Sequence, residues 1–201
     1  MSADFSAPPP TWAQIFGNTN PVEVEIGPGH GSFLMALARL HPERNFFGVE
    51  FAARRAFRAA RLLERDGPSN LIIIRADIGC LLRTHIYPES VQVYHLYFPD
   101  PWWKKRHHRR RIVQADFPTA LSRRLVPGGS LLFASDVRPY FEQIVEQFRA
   151  VPDLDQFAWQ RDHCTPRGKP IVTDFERKYQ RQDRPIYYTG FRKKEQPDRR
   201  A

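Results

Sequence analysis

Residues 22–31 read Val-Glu-Val-Glu-Ile-Gly-Pro-Gly-His-Gly, and this stretch decides the fold. Val22–Ile26 predicts a short buried strand, and the glycines that follow it predict a tight turn. Apolar residues then recur at helical spacing over Ser32–Leu40, where the pair His41-Pro42 predicts the end of a helix. A strand, a glycine-rich turn and a helix in this order begin a parallel α/β sheet.

The same alternation of strand and helix patterns continues along the 201 residues. We predict further strands at 45–50, 71–74, 91–97 and 130–134, and further helices at 52–65, 112–125 and 140–148. The last third is less regular, with candidate strands at 157–160 and 186–191 and a helix over 174–181. The pattern predicts one doubly wound α/β domain over 1–201, with a mostly parallel sheet, helices on both faces and flexible ends at 1–10 and 195–201.

Positive charge is concentrated in the second half of the chain. Residues 1–99 contain nine Lys/Arg and nine Asp/Glu, whereas residues 100–201 contain 22 and 13 and therefore carry the whole net charge of +9. This asymmetry indicates a polyanionic partner, although the charge alone is explained equally well by a solvated basic surface.

The composition disfavours several classes of protein. No apolar run approaches the ~18 residues of a membrane helix, and residues 1–10 lack the basic and apolar regions of a signal peptide. Cys80 and Cys164 are isolated, so neither a disulfide framework nor a metal site is indicated. We expect a cytoplasmic protein that binds neither membrane nor metal.

Acidic residues stand at or just past the ends of five predicted strands: Glu25, Glu50, Asp77, Asp100 and Asp136. In a doubly wound sheet, ligands bind at the carboxyl ends of the strands. Five acids along one edge are poorly explained by solvation and therefore predict a ligand site.

The first of these acids opens the pattern Glu25-x-Gly27-x-Gly29-x-Gly31, which differs from the G-x-G-x-x-G of dinucleotide sites. The glycines let the backbone approach a ligand closely. Glu25 would repel an anion but attract the ammonium and sulfonium groups of S-adenosylmethionine. Glu50 is placed to accept hydrogen bonds from ribose hydroxyls, as an acid at this position also does in NAD enzymes, and Asp77 to accept one from the adenine amino group. The pattern favours a methyl-donor site over a purely structural turn.

Residues 98–111 read Phe-Pro-Asp-Pro-Trp-Trp-Lys-Lys-Arg-His-His-Arg-Arg-Arg. A rigid turn presents Asp100 and Trp102 at the end of a strand, and six Lys/Arg and two His follow within eight residues. A site for a planar base beside a surface for polyphosphate indicates a function on nucleic acid. Base stacking and core packing stay equally open for Trp102, and a ribose contact or a loop cap for His107.

These motifs resemble the bacterial tRNA (guanine-N7)-methyltransferases, a family within the class I S-adenosylmethionine-dependent methyltransferases. The resemblance is carried, in this order, by 24–31, Phe47-Gly-Val-Glu50, Phe98–Trp102 with Lys104–Arg111, Ala134-Ser-Asp136 and Thr173-Asp-Phe-Glu176. It implies a Rossmann-like methyltransferase fold, S-adenosylmethionine as cofactor, tRNA as partner and N7-methylguanosine at position 46 of the variable loop as product. Unlike most of the family, this chain has no Lys or Arg before Arg39.

The resemblance also implies roles for individual residues. Cofactor contacts are expected from Glu25, Gly27, Gly29, Glu50, Asp77 and Asp100, with Asp100 also catalytic, and substrate contacts from Lys104, Asp136, Thr173, Asp174, Phe175 and Glu176. Thr173 and Glu176 also have capping-box spacing, and Asp136 precedes a helix, so capping roles stay open. Guanine N7 carries no proton, so its methylation needs alignment and charge stabilisation rather than a general base.

Three other functions are compatible with parts of the sequence. An amino-group methyltransferase of the N-P-P-Y type has a loop similar to Pro99-Asp-Pro-Trp102. A nucleotide-dependent oxidoreductase shares the fold and Glu50 but leaves the basic segment unexplained. A non-catalytic RNA-binding protein explains the charge but not the acids at the sheet edge. The sequence does not decide between a monomer and a homodimer.

Overall fold

A seven-stranded sheet organises the chain in the computed structural model, which describes residues 8–161, 164–166 and 168–195. The expected flexible ends therefore lie largely outside the described residues. The strands are β1 Val22–Ile26, β2 Asn45–Glu50, β3 Leu71–Arg75, β4 Val91–Tyr97, β5 Leu125–Ser135, β6 Leu154–Phe157 and β7 Tyr187–Lys193. Their order in the sheet is β3-β2-β1-β4-β5-β7-β6, and only the pairs made by β7 are antiparallel.

Helices cover both faces of this sheet, as predicted. They are α1 Trp12–Phe16, α2 Ser32–Leu40, α3 Ala53–Asp66, α4 Ile78–Thr84, α5 Phe117–Arg124, α6 Arg138–Arg149 and α7 Asp174–Arg181, with a 3₁₀ helix over Lys105–Arg110. The chain runs outward from β1 through β2 to β3 and then crosses back past β1 to β4 and β5. Because crossover connections are right-handed, this reversal places α2 and α3 on one face and α4, α5 and α6 on the other. No helix within the described ranges is long and apolar enough to cross a membrane.

The two faces of β1 have different chemistry, and this difference positions the site. Val22, Val24 and Ile26 join the apolar core shared with α4, α5 and α6. Since side chains alternate along a strand, Glu23 and Glu25 point to the opposite face, which α2 covers. Both carboxylates are buried there. A strand that is buried on both sides thus carries two acids into the interior.

Several predicted boundaries are confirmed and others are wrong. The bounds of β1, β2, β4, α2 and α7 are those predicted. The helix predicted over 112–125 begins only at Phe117, because Asp116 precedes the first turn and Pro118, which lacks a backbone N–H, is restricted to that turn. The fifth strand begins at Leu125 rather than at 130. Val91 pairs with Leu125 and Val93 with Ser130, so a step of two residues along β4 corresponds to a step of five along β5. The strand predicted at 157–160 lies at Leu154–Phe157, where it pairs with β7.

Candidate functional site

A cavity of about 240 Å³ opens between the glycine-rich turn after β1 and the beginning of α7. It lies at the carboxyl edge of the sheet, where a doubly wound fold is expected to bind ligands. Its lining brings together six predicted site residues, namely Glu25, Gly27, Gly29, Thr173, Asp174 and Phe175. Phe33, Tyr97, Arg55 and Lys178 also contribute to its walls.

The glycine-rich turn leaves space on the side of the cavity. Gly27 and Gly29 have φ values of 78° and 61°, in the left-handed region that glycine tolerates best. A Cβ built on either residue would meet no atom within 4 Å. The glycines therefore expose backbone to the cavity, where a ligand can approach without a steric clash.

Glu50 holds this turn in place instead of facing the cavity. Its Oε2 accepts a hydrogen bond from the Gly29 amide at 3.0 Å, and its Oε1 accepts one from the Ala52 amide at 2.7 Å. Arg55 Nε donates to the same Oε1 at 3.2 Å. Glu50, which the sequence predicts to contact ribose, therefore fixes the backbone that lines the cavity.

Glu25 is a buried carboxyl group at the base of the cavity. Its Oε2 has no hydrogen-bond partner among the residues that the structure describes. Burial raises the pKa of Glu25 to about 8, with the charge of Arg161 opposing the rise and that of Glu50 adding to it. An unpaired carboxylate oxygen beside exposed glycine backbone fits the ammonium group of an amino-acid-like cation, so the residues present fit S-adenosylmethionine.

A buried arginine that sequence reasoning missed stands next to Glu25. The Arg161 guanidinium lies 4.1 Å from the Tyr97 ring centroid and 4.6 Å from that of Phe33. Its Nε is 2.7 Å from Glu176 Oε2, and the Tyr188 hydroxyl donates to Glu176 Oε1 at 2.8 Å. Glu176, predicted to contact substrate, is therefore buried and paired inside the protein. Arg161 lies in an irregular segment before α7, where no local pattern signals its burial.

A second buried polar cluster lies deeper on the same face. Glu23 Oε2 is 2.8 Å from His95 Nε2, and Arg44 Nη1 donates to Glu23 Oε1 at 2.6 Å. His95 Nδ1 is in turn 2.8 Å from the Tyr97 hydroxyl. Burial alone would raise the pKa of Glu23, but the His95 and Arg44 contacts outweigh it and lower the pKa to about 2.

Asp100 is exposed at the end of β4, between Pro99 and Pro101. In the described part of the chain it forms neither a hydrogen bond nor an ion pair. The pKa of Tyr140 is raised to about 12, mainly by burial, and the charge of Asp100 adds to the rise. Asp100 also contributes to the raised pKa of Tyr179, so its carboxylate lies within electrostatic reach of both α6 and α7.

The basic segment after Asp100 is held in shape by Trp102 and Arg111. The Trp102 ring centroid lies 5.9 Å from that of His107, and the Arg110 guanidinium stacks 5.1 Å from the Trp102 ring centroid. Arg111 Nε donates to the Pro101 carbonyl at 2.7 Å, and its guanidinium stacks over Tyr140. The remaining cations of the segment, Lys104, Lys105, Arg106 and Arg109, are exposed.

The other predicted site residues have structural partners. Asp77 caps α4 by accepting from the Cys80 amide at 2.9 Å, and Thr173 caps α7 by accepting from the Glu176 amide at 3.0 Å. Asp136 is paired with Arg184. Asp174 accepts a hydrogen bond from Ser32 Oγ at 3.1 Å and so ties the beginning of α7 to that of α2.

Several known proteins similar to this chain are methyltransferases. A family model described as "Putative methyltransferase" matches residues 19–189. The solved aminoglycoside resistance methyltransferase NpmB1 superposes with a TM-score of 0.61 at 16% identity, covering 89% of this chain and 90% of its own. A solved S-adenosylmethionine-dependent O-methyltransferase from Thermotoga maritima gives a TM-score of 0.57 at 15% identity, over 92% of this chain and 64% of its own. These structures confirm the Rossmann-like methyltransferase fold.

Sequence relatives are more specific. The tRNA (guanine-N(7)-)-methyltransferase of Alkalilimnicola ehrlichii is 36% identical over 184 residues, which cover 92% of this chain and 77% of that protein. The enzyme of the same name from Leifsonia xyli is 39% identical over 179 residues, covering 89% and 78%. The one from Aliivibrio fischeri is 33% identical over 193 residues, covering 96% and 81%. With this identity over most of both chains, the protein belongs to the tRNA (guanine-N7)-methyltransferase family, whose methyl donor is S-adenosylmethionine.

Proposed function

We propose that this protein methylates N7 of the guanine at position 46 in the variable loop of tRNA. The observation that carries the proposal is the free Asp100 carboxylate, held on a turn between two prolines. Just before it in the chain, Tyr97 and Phe98 line the cavity that contains Glu25, and just after it comes the basic segment. This order along the chain supports a base-binding role for Asp100 beside a cationic-donor site and a phosphate-binding surface. We also propose that residues 1–201 form a single domain.

The cofactor site is formed by Glu25, Gly27 and Gly29. When bound, S-adenosylmethionine supplies an electrophilic methyl group on its sulfonium. The Glu25 carboxylate attracts the ammonium end, and the glycine backbone provides a surface without side chains. Glu50 keeps the turn in position through the Gly29 amide, and Asp77, just after β3, accepts a hydrogen bond from the adenine amino group.

Asp100 selects guanine and supports its reaction. As a carboxylate it accepts hydrogen bonds from the guanine N1–H and N2–H2 groups, which adenine does not offer in that arrangement. Methylation leaves a positive charge on the base, and the nearby carboxylate stabilises it. Since N7 has a free lone pair and no proton, no general base is required.

Lys104 and the beginning of α7 hold the RNA. Lys104 is exposed and binds phosphate, which positions the RNA without reading its sequence. Asp174 and Phe175 line the cavity and contact the substrate nucleotide, and Thr173 orients them as the cap of α7. Glu176 acts indirectly, through Arg161, and Asp136 through Arg184.

Transfer of labelled methyl from S-adenosylmethionine to unmodified tRNA, followed by nucleoside analysis and mapping of the modified position, tests the proposal. We expect 7-methylguanosine at position 46, and Asp100→Ala should abolish turnover while tRNA affinity stays nearly unchanged. Asp116→Ala is the matched control, because Asp116 is also exposed and forms no side-chain cap. Full turnover in Asp100→Ala would remove this residue from the mechanism.

The strongest alternative is methylation of an exocyclic amino group by a loop of the N-P-P-Y type. The resemblance of Pro99-Asp-Pro-Trp102 to that loop favours it. Such a reaction releases a proton from the amine and yields an N-methylated amino base, so the same nucleoside analysis distinguishes it. Membership of a methyltransferase family argues against both a nucleotide-dependent oxidoreductase and a non-catalytic RNA-binding protein.

A further inference from the structure

Helix α3 carries a stripe of four arginines on its outer side. Arg54, Arg58, Arg61 and Arg65 are all exposed. At about 100° per residue they fall within an arc of roughly 60°, and from first to last they extend about 16 Å along the helix. Ala56 and Ala59, which are buried against the sheet, lie on the opposite side of the helix. The arginine stripe, as we call these four residues, is therefore directed to solvent.

Much of the charge on this stripe is not neutralised. Neither Arg54 nor Arg61 has a hydrogen bond or an ion pair with any residue in the ranges that the structure describes. A shallow depression lined by Arg58, Arg61, Leu62, Glu64 and Arg65 gives the surface a concave shape, so one carboxylate lies among three arginines. Although residues 1–99 have equal numbers of acidic and basic residues, Glu23, Glu25 and Glu50 are buried. The surface of this half of the chain therefore has more basic than acidic side chains.

The arginine stripe is continuous with the cavity. Arg55, on the first turn of α3, lines the cavity and contacts Glu50. Arg58 Nη1 is 3.4 Å from Nε2 of His30, another lining residue. Lys178 lines the opposite side of the same opening. A polyanion whose reactive group enters the cavity therefore meets further cations on α3.

Two exposed aromatic side chains accompany the arginines. Phe51 is 73% exposed just before α3, and Phe57 is 64% exposed beside the stripe. Aromatic rings next to arginines bind unpaired bases by stacking while the arginines bind phosphates. A membrane-surface helix places its apolar face in the lipid, whereas the apolar face of α3 is packed on the sheet. The surface therefore suits RNA better than a lipid bilayer.

We propose that the arginine stripe, with Phe51 and Phe57, is a second docking surface for the RNA substrate, separate from the basic segment at 104–111. This inference rests on the proposed function. The stripe binds phosphates of the strand that leads to or from the target guanine, and it fixes the direction in which the RNA enters the cavity.

The test compares two double variants with the same change in charge. Arg54→Gln/Arg61→Gln removes two cations from the stripe and leaves Arg55 and Arg58 beside the cavity. Arg83→Gln/Arg123→Gln removes two exposed cations from α4 and α5, on the opposite face. Affinity for an unmodified tRNA transcript is measured over a series of salt concentrations. We expect the stripe variant to bind about ten-fold more weakly, with a log–log salt slope smaller by about 1.4 to 1.8, as for two lost phosphate contacts.

The control variant should keep the wild-type slope. Equal weakening in both double variants would overturn the proposal, because it would indicate a general effect of net charge. A stripe variant that kept the wild-type salt slope would overturn it too. So would a stripe variant that lost binding to phosphatidylserine vesicles but still bound tRNA as the wild type does. Binding is measured without turnover, so a wild-type protein that binds tRNA but makes no 7-methylguanosine would refute only the proposed function.

Discussion

The Arg161 guanidinium and the Glu176 carboxylate form an ion pair inside the protein, with 2.7 Å between Nε and Oε2 and side chains only 3% and 2% exposed. Arg161 also stacks on rings from α2 and β4, and Glu176 accepts a hydrogen bond from β7. One buried pair thus joins the elements that surround the cavity. Because the charge of Arg161 also acts on Glu25, the pair links the base of the cavity to the helix proposed to hold the substrate.

Replacing Arg161 should destabilise the protein strongly. Arg161→Leu leaves Glu176 as a buried, unpaired charge, and we expect the free energy of unfolding to fall by about 3–5 kcal/mol. Denaturant unfolding measures this change. Adding Glu176→Gln should recover part of the loss, since no buried charge then stays unpaired.

The exposed pair Arg177–Asp174 provides the control for this experiment. Arg177→Leu should change the free energy of unfolding by less than about 1 kcal/mol. If Arg161→Leu were no more destabilising than Arg177→Leu, the buried pair would not have the structural importance that its geometry indicates.

Cofactor binding should release a proton from Glu25. In the unliganded protein burial raises the pKa of this carboxyl to about 8, so the group is mostly neutral at pH 7. A cationic ligand favours the carboxylate, and over roughly pH 6–7, where the ligand amino group remains charged, affinity should rise by up to about ten-fold per pH unit. Calorimetry in two buffers with different ionisation enthalpies measures the released proton.

Glu25→Gln should bind S-adenosylmethionine more weakly and release no proton. The same substitution should stabilise the unliganded protein at pH values above the pKa of Glu25. The folded protein binds this proton more tightly than the unfolded chain does, so its stability falls as pH rises from 4.5 toward 8. Proton release that persists in Glu25→Gln would assign the titration to another group.

The fold was predictable because its signals are local. Alternating β-branched residues, a glycine turn and a helical repeat specify β1 and α2, and their bounds are confirmed. The region after the basic segment was harder, because the first turn of α5 accommodates Pro118 and β5 begins within a bulge. Periodicity does not specify where a ladder changes register.

For the candidate site, the sequence predicted where the acidic residues lie but not which groups their carboxylates contact. The acids at the strand ends do lie along one edge, but Glu50 holds the turn and Asp77 caps a helix. Which way a carboxylate turns depends on backbone amides that only the folded chain brings near. Arg161 and His95 were missed because their partners, Glu176 and Glu23, are distant in sequence. Buried polar clusters of this kind leave no periodic signal.

The Glu23 cluster should make stability depend on acid pH. Glu23 has its pKa lowered from 4.5 to about 2, so its contribution to stability is present above pH 4.5 and is lost as pH falls toward 2. This shift corresponds to roughly 3 kcal/mol at most. Urea unfolding at a series of pH values between these limits should show a steep loss in the wild type and a shallower one in Glu23→Gln. The exposed Glu64→Gln should follow the wild type, and an equally steep loss in Glu23→Gln would assign acid sensitivity elsewhere.

Trp102 should stabilise the basic segment in the free protein. Its ring contacts His107 and Arg110, while the His107 and Arg111 amides donate to the Lys104 and His108 carbonyls. Trp102→Ala should therefore speed hydrogen exchange at these two amides and weaken tRNA binding, because the cations are no longer held in position. Trp103→Ala, which removes a neighbouring ring that is 69% exposed, should leave exchange at these amides unchanged. If Trp102→Ala weakened tRNA binding while exchange stayed at the wild-type rate, the ring would act by stacking on a base instead of by holding the segment.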